Sequence, residues 1–235
     1  NKTLNSHMMK NDEWGAVAYL SKSKYGKQNE EVDINSDSSY YTGGGSGNAY
    51  VTNVGQSTTG TVHGVYDMSG GAWEYVAAYV NNGNSNLTNY GSSLVNGDAK
   101  TKNVYSKGSS DSRDNNYSAN SGKYGDAVYE TSANGNSSSS SWYGVCSGFP
   151  YTSSPFFRRG GSYNGGTTAG VSTPTMVMAT AAIRSVRSWS HFNATLSLAL
   201  CKSAENIKCH PMQITGSENE MEVSYKKSLA LQDFF

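Results

Sequence analysis

Residues 66–76 read YDMSGGAWEYV, and far downstream residues 159–163 read RGGSY. In the first stretch Asp67 and Ser69 stand beside Gly70-Gly71. Asp and Ser side chains hydrogen-bond nearby backbone N–H groups and glycine takes positive φ, so this stretch predicts a turn. Trp73, Val76 and Tyr79 follow it as bulky anchors for a core. The second stretch sets an arginine beside two glycines.

Outward from these motifs the chain is loop-rich. It has 235 residues, of which 26 are Gly and 17 Tyr, and only 15% are charged. That length suits one sizeable domain, or one domain with an appendage. Tyr with Ser, Gly and Asn is also the palette of antibody binding loops, where Tyr gives contact area and the others adaptable hydrogen bonds. With 18 basic and 18 acidic residues the formal net charge is zero. This argues against a nucleic-acid partner, which would call for a basic face.

Upstream, residues 8–26 contain the apolar run Trp14-Gly-Ala-Val-Ala-Tyr-Leu20. At helical spacing Trp14, Val17 and Leu20 line one face with Ala18 beside them, predicting a core-packing helix. The cluster TGGGSGNAY at residues 42–50 lacks the Lys-Ser/Thr ending of a phosphate-binding loop and the context of a dinucleotide loop. Residues 81–141 are polar and low in complexity, a segment expected to supply little core. The tyrosines that recur through it, at 90, 105, 117, 124 and 129, suggest ordered surface loops on a scaffold.

Candidate chemistry is sparse. Cys146, Cys201 and Cys209 show no CxxC spacing and no histidine at ligand spacing, so no metal site is expected. His7, His63, His191 and His210 are scattered and give no catalytic triad. Asp111, Asp114 and Asp126 match no calcium loop and read as a solvated surface. No cofactor and no catalytic residue is assigned. No stretch is long and apolar enough to span a membrane, and the chain opens at Asn1. It is therefore expected to be a fragment, with any export signal or membrane anchor upstream of it.

Taken together in this order, YDMSGGAWEYV and RGGSY resemble the formylglycine-generating, sulfatase-modifying-factor type of C-type-lectin-like domain. Residues 7–26 and the run SWYGVCSGFPYTSSPFFRRGGSYNGGTTAGV at 141–171 are similar to one branch of it, the variable proteins diversified by retroelements in bacteria and their phages. The resemblance covers residues 7–171. It implies an α+β fold, with two helices around a small antiparallel sheet and long loops. The enzymes of the family oxidise cysteine with copper held by a cysteine pair. Here only Cys146 lies in the matching region, and a copper–thiolate site needs two soft ligands, so the resemblance implies a binder rather than an oxidase.

In the variable proteins, template adenines are substituted and AAY codons become NNY, which never encode Trp, Met, Lys, Glu or Gln. Between residues 143 and 164 every residue outside the prolines and the RRGG core is encodable that way. By analogy, ligand-facing roles fall to Tyr143, Val145, Cys146, Gly148, Tyr151, Phe157, Arg158, Ser162, Tyr163 and Asn164. Trp73, Glu74, Trp142, Arg159, Gly160 and Gly161 are read as scaffold. Arg159 either anchors backbone carbonyls or pairs with an acid such as Glu74.

The resemblance stops after Val171. Read one base upstream, Ser172 becomes a codon for Phe, Leu, Ile or Val, and residues 176–179 become an Asn-like, Gly, Asn-like, Gly loop. Residues 184–189 become Ser-Phe-Arg-Pro-Val-Leu, the closing strand of the family. Residues 1–171 are thus expected to form the domain and residues 172–235 an out-of-frame tail that leaves a sheet edge unpaired. The implied function is a hypervariable protein that binds a protein or glycan ligand and is displayed outside the cell, on a bacterial surface or phage particle. It would touch a membrane only through an anchor missing here, and no nucleic acid is involved. A cysteine oxidase and a pilin-like surface subunit are the alternatives.

Overall fold

Helix α1 (Asn11–Lys22) forms where the apolar run predicts it, in a computed structural model that describes residues 7–123, 125–128 and 148–176. Glu13 starts the helix: its carboxylate accepts the Lys10 N–H at 2.9 Å. Asp12 and Glu13 also place negative charge in the first turn, where the helix dipole favours it. Trp14, Val17 and Ala18 are buried as expected. Leu20 is only half-buried, and Ser21 takes the inward position instead. Seven residues from Trp14 is two helical turns, so Ser21 returns to Trp14's face and Leu20 falls beside it. Gly15 lets the chain approach closely, since a Cβ there would stand 2.3 Å from the Gly125 carbonyl oxygen.

Four strands, β1 (Glu74–Asn81), β2 (Asn103–Ser106), β3 (Phe156–Gly160) and β4 (Gly170–Met176), form one sheet in the order β2-β1-β3-β4. β3 is antiparallel to both neighbours, but β1 and β2 run parallel. The sheet is therefore mixed, not the antiparallel sheet expected. The chain between β1 and β2 carries two single-turn helices, α3 (Asn86–Asn89) and α4 (Ser92–Val95). A long crossover of this kind is what a parallel pair needs. The remaining helices are α2 (Ala49–Thr52), also a single turn, and α5 (Arg113–Ala119), which packs against β2.

Alternation along the strands gives the sheet two clothed faces. Val76, Ala78 and Val80 of β1 and Phe157 of β3 face α1 and join Trp14, Met68, Tyr105 and Phe149 in the main core. Tyr79 and Phe156 point the other way and meet Leu87 of α3 in a smaller cluster. Trp14 ties helix to sheet, since its indole Nε1–H donates to the Val171 carbonyl at 2.8 Å. At the irregularity between β1 and β3, Ala77 donates its N–H to Met9 on the approach to α1.

Two expectations change. Residues 81–141 look poor in core by composition, yet Leu87, Tyr105, Ala127 and Val128 from that segment are buried, with Asn116, Asn120 and Asp126. Asp126 is thus no solvated loop residue. Composition hides this because the apolar residues arrive one or two at a time among polar neighbours. Secondly, the sheet edge beside β3 is not left bare. β4 runs from Gly170 through the point where the family resemblance ends, pairing Pro174 with Arg159 and Thr175 with Arg158. Backbone pairing does not require the family's side chains. Pro174, which has no N–H to give, is tolerated because β4 is an edge strand.

Candidate functional site

The two motifs that decide the fold touch. Gly70 donates its N–H to the Gly160 carbonyl at 2.9 Å, and Tyr163 donates to the Gly71 carbonyl at 2.7 Å. Gly70, Gly71, Gly160 and Gly161 all have φ between 66° and 85°, a region open to glycine but strained for other residues. Space is short as well: a Cβ on Gly161 would lie 2.5 Å from Ala169, and one on Gly70 would lie 2.5 Å from the Asn35 carbonyl.

Asn35, buried to 1% exposure, clips this junction to the glycine-rich loop. Its backbone bonds Ser69 and Gly71 on both sides of Gly70, at 2.9 and 2.7 Å. Its side-chain amide donates to the Tyr41 carbonyl at 2.8 Å and to Asp67 at 3.5 Å. Asp67 holds φ at 61° and accepts the Thr42 hydroxyl at 2.6 Å. These bonds bring Tyr40 edge-on to Tyr163, with ring centroids 5.6 Å apart. Tyr40 and Tyr41 are about half exposed, at 45% and 53%.

Beneath the junction lies a buried polar network. Arg159, with no exposed surface, donates to the Asn11 side-chain oxygen at 3.3 Å and to the Ala127 carbonyl at 3.5 Å. Asn11 donates to the Tyr105 hydroxyl at 2.8 Å and to Asp126 at 3.3 Å. Tyr105 donates to the same Asp126 oxygen, and burial with that neighbouring carboxylate pushes the phenol well above its usual range. Of the two expectations for Arg159 the first is met, since it reaches a backbone carbonyl; Glu74 is its register partner across β1 and β3.

Of the residues expected to face ligand, Arg158, Ser162, Tyr163 and Asn164 gather near the junction, around the C-terminal end of β3. Arg158 stacks on Trp73, its guanidinium carbon 3.9 Å from the ring centroid, so Trp73 is a surface platform rather than a core anchor. Desolvation lowers the Arg158 pKa and raises that of Tyr75, the residue opposite it. Ser162 donates its hydroxyl to the Asn164 side-chain oxygen at 2.8 Å. Asn164 is exposed, while Ser162 and Tyr163 are half-buried.

Others do not join them. Phe157 is fully buried against Tyr105 and Phe149, in the core and away from any ligand-facing surface. The reason is the strand period: with Arg158 outward, Phe157 must face inward. Gly148 is buried too. Tyr151 sits in a tight turn with Ser154 before β3 begins, beneath Arg113 at 5.1 Å. Five strand residues separate that end from the junction, about 17 Å of extended chain. Trp142, Tyr143, Val145 and Cys146 lie outside the described residues.

Sequence reasoning missed Tyr40, Tyr41 and Arg113 as surface partners. The available signal was tyrosine beside a Gly/Ser/Asn cluster, the same composition used to read residues 143–164. Asp111 accepts from Asn82 and Asn116, Asp114 is exposed in the first turn of α5, and Asp126 is in the network, so the three aspartates do not converge. Among the described residues, no group of three or more His, Cys, Asp or Glu could hold a metal ion, and no helix is long and apolar enough to cross a membrane. Compared with family models, curated proteins and solved structures, the chain matches none.

Proposed function

We propose that this chain is a ligand-binding scaffold of the C-type-lectin-like, retroelement-diversified type, displayed on a bacterial surface or phage particle. The observation that carries the reading is the junction of residues 69–71 with residues 160–163. A rigid, glycine-dictated backbone joint holds aromatic, amide and hydroxyl side chains at the surface. Sites on rigid elements place their contacts more precisely than free loops do. The side chains around it, Tyr40, Tyr163, Ser162 and Asn164, are of the kind that make adaptable contacts to a protein or glycan.

The test is genetic and structural together. Several alleles of the source locus should differ mainly at NNY-type codons between residues 143 and 164, leaving Gly160, Gly161 and the residue 69–71 turn constant. An even spread of substitutions, or variation that strikes those glycines, would overturn the proposal. Sequencing across the codon for Ser172 in the same alleles tests the frame disruption. An intact frame in close relatives there would remove it.

A further inference from the structure

We infer that Arg158, laid on Trp73, is a carboxylate anchor, so that the partner of this face presents an acidic group to it. The inference rests on the binding reading above and gives its ligand a chemical class. Stacking on an indole is common for arginine and by itself implies nothing beyond packing. What distinguishes Arg158 is its want of polar partners. Among the described residues no hydrogen bond or ion pair holds it; its Nε–H is buried without an acceptor, as is that of Arg159, so the difference lies in the outer nitrogens. Its two Nη nitrogens also make no hydrogen bond, and they are not buried.

Contrast within the same strand makes the point. Arg159 is buried and meets Asn11 and Ala127. Arg158 is partly desolvated, which lowers its pKa, and among the described residues no acidic side chain pairs with it. A guanidinium held flat by an aromatic ring has already lost much of its rotamer freedom. Its Nη pair then forms a preset fork that matches the two oxygens of a carboxylate. The chain's zero net charge speaks for a local acidic group rather than a polyanion.

The experiment uses the full chain and NMR of the Trp73 indole N–H, identified by its loss in Trp73→Phe. Three probes are titrated: blocked Gly-Glu-Gly, its Gly-Gln-Gly twin, and glucuronic acid. The expected result is a saturable shift with the Glu peptide, at least about tenfold stronger than with the Gln peptide, a gap worth 1.4 kcal/mol. Arg158→Gln should remove it, and Arg158→Lys should weaken it despite keeping the charge, because lysine offers no planar fork. A response to glucuronic acid equal to that of the Glu peptide assigns the anchor to acidic sugars as well as acidic side chains. Equal responses to the Glu and Gln peptides, no response up to about 20 mM, or undiminished binding by Arg158→Gln would each overturn the inference. Should Arg158→Gln fail to fold, the Glu and Gln peptides on the unaltered chain still decide. Failure here leaves the allele test untouched, and failure of the allele test leaves this titration standing.

Discussion

Arg159 is enclosed between α1 and residues 125–128, whereas Arg158, one residue earlier on β3, lies half-exposed on Trp73. The same side chain thus does two jobs because a strand turns successive residues to opposite faces. On the inner face the guanidinium meets fixed oxygens from α1 and from the Ala127 carbonyl. It joins segments that lie 32 and 148 residues away in the chain. On the outer face it meets an aromatic plane, and among the described residues its two Nη nitrogens find no hydrogen-bond partner. A dipeptide of identical residues therefore divides into one structural element and one that we propose for recognition, and the sheet's orientation tells which is which.

The largest way to break this contrast is Arg159→Ala. It should cost about 3–5 kcal/mol, because a buried charged group is removed and its partners are left without it. Urea unfolding would show it as a lower midpoint, and a loss under about 1 kcal/mol would mean the network is incidental. A second buried charge sharpens the comparison. Glu31 accepts from the Val32 and Val171 N–H groups at 3.0 and 3.4 Å, yet its second oxygen is buried without a partner. Desolvation wins over those bonds and the nearby Lys27 and Lys22, raising its pKa from 4.5 to about 7.

The folded state therefore prefers the neutral acid. Its stabilisation is complete below the unfolded pKa near 4.5 and is lost as pH rises through about 7. The expected loss is at most about 3 kcal/mol. Melting temperatures of Glu31→Gln between pH 4.5 and 7 should lack the decline that the unaltered chain shows, and parallel curves would sink this account. Gly161→Ala comes next, at about 2 kcal/mol, from a positive φ and a Cβ 2.5 Å from Ala169. Thermal unfolding measures it, and a neutral result would show that the junction can relax. The smallest effect belongs to Arg158→Gln, which should change stability by less than about 0.5 kcal/mol while removing carboxylate binding. A stability loss as large as that of Arg159→Ala would erase the distinction between the two arginines.

Much of this was legible in the sequence where one principle acts locally. The spacing of Trp14, Val17 and Ala18 gave the helix face, and the paired glycines of both motifs gave the turns. That Phe157 faces inward could have been read from its alternation with Arg158, but codon reasoning across residues 143–164 ignored strand period. The network of Asn11, Tyr105, Asp126 and Arg159 was not legible, since each member looks like an ordinary polar or surface residue in its own segment. Only tertiary packing joins them. The parallel pairing of β2 was hidden likewise, because a four-residue strand carries too little pattern to announce its direction.

One feature of the sheet also bears on how the chain is made. β1 ends at Asn81 and its antiparallel partner β3 begins at Phe156, about 75 residues later. At ribosomal rates of about 5–20 residues per second, β1 waits roughly 4 to 15 s for that partner. During the wait Val76, Ala78 and Val80 have no opposing strand on that side. The nascent chain that emerges meanwhile is rich in Asn, Ser and Gly. Its poverty in apolar residues has a use before folding is finished: it offers the waiting strand few sticky neighbours with which to mispair.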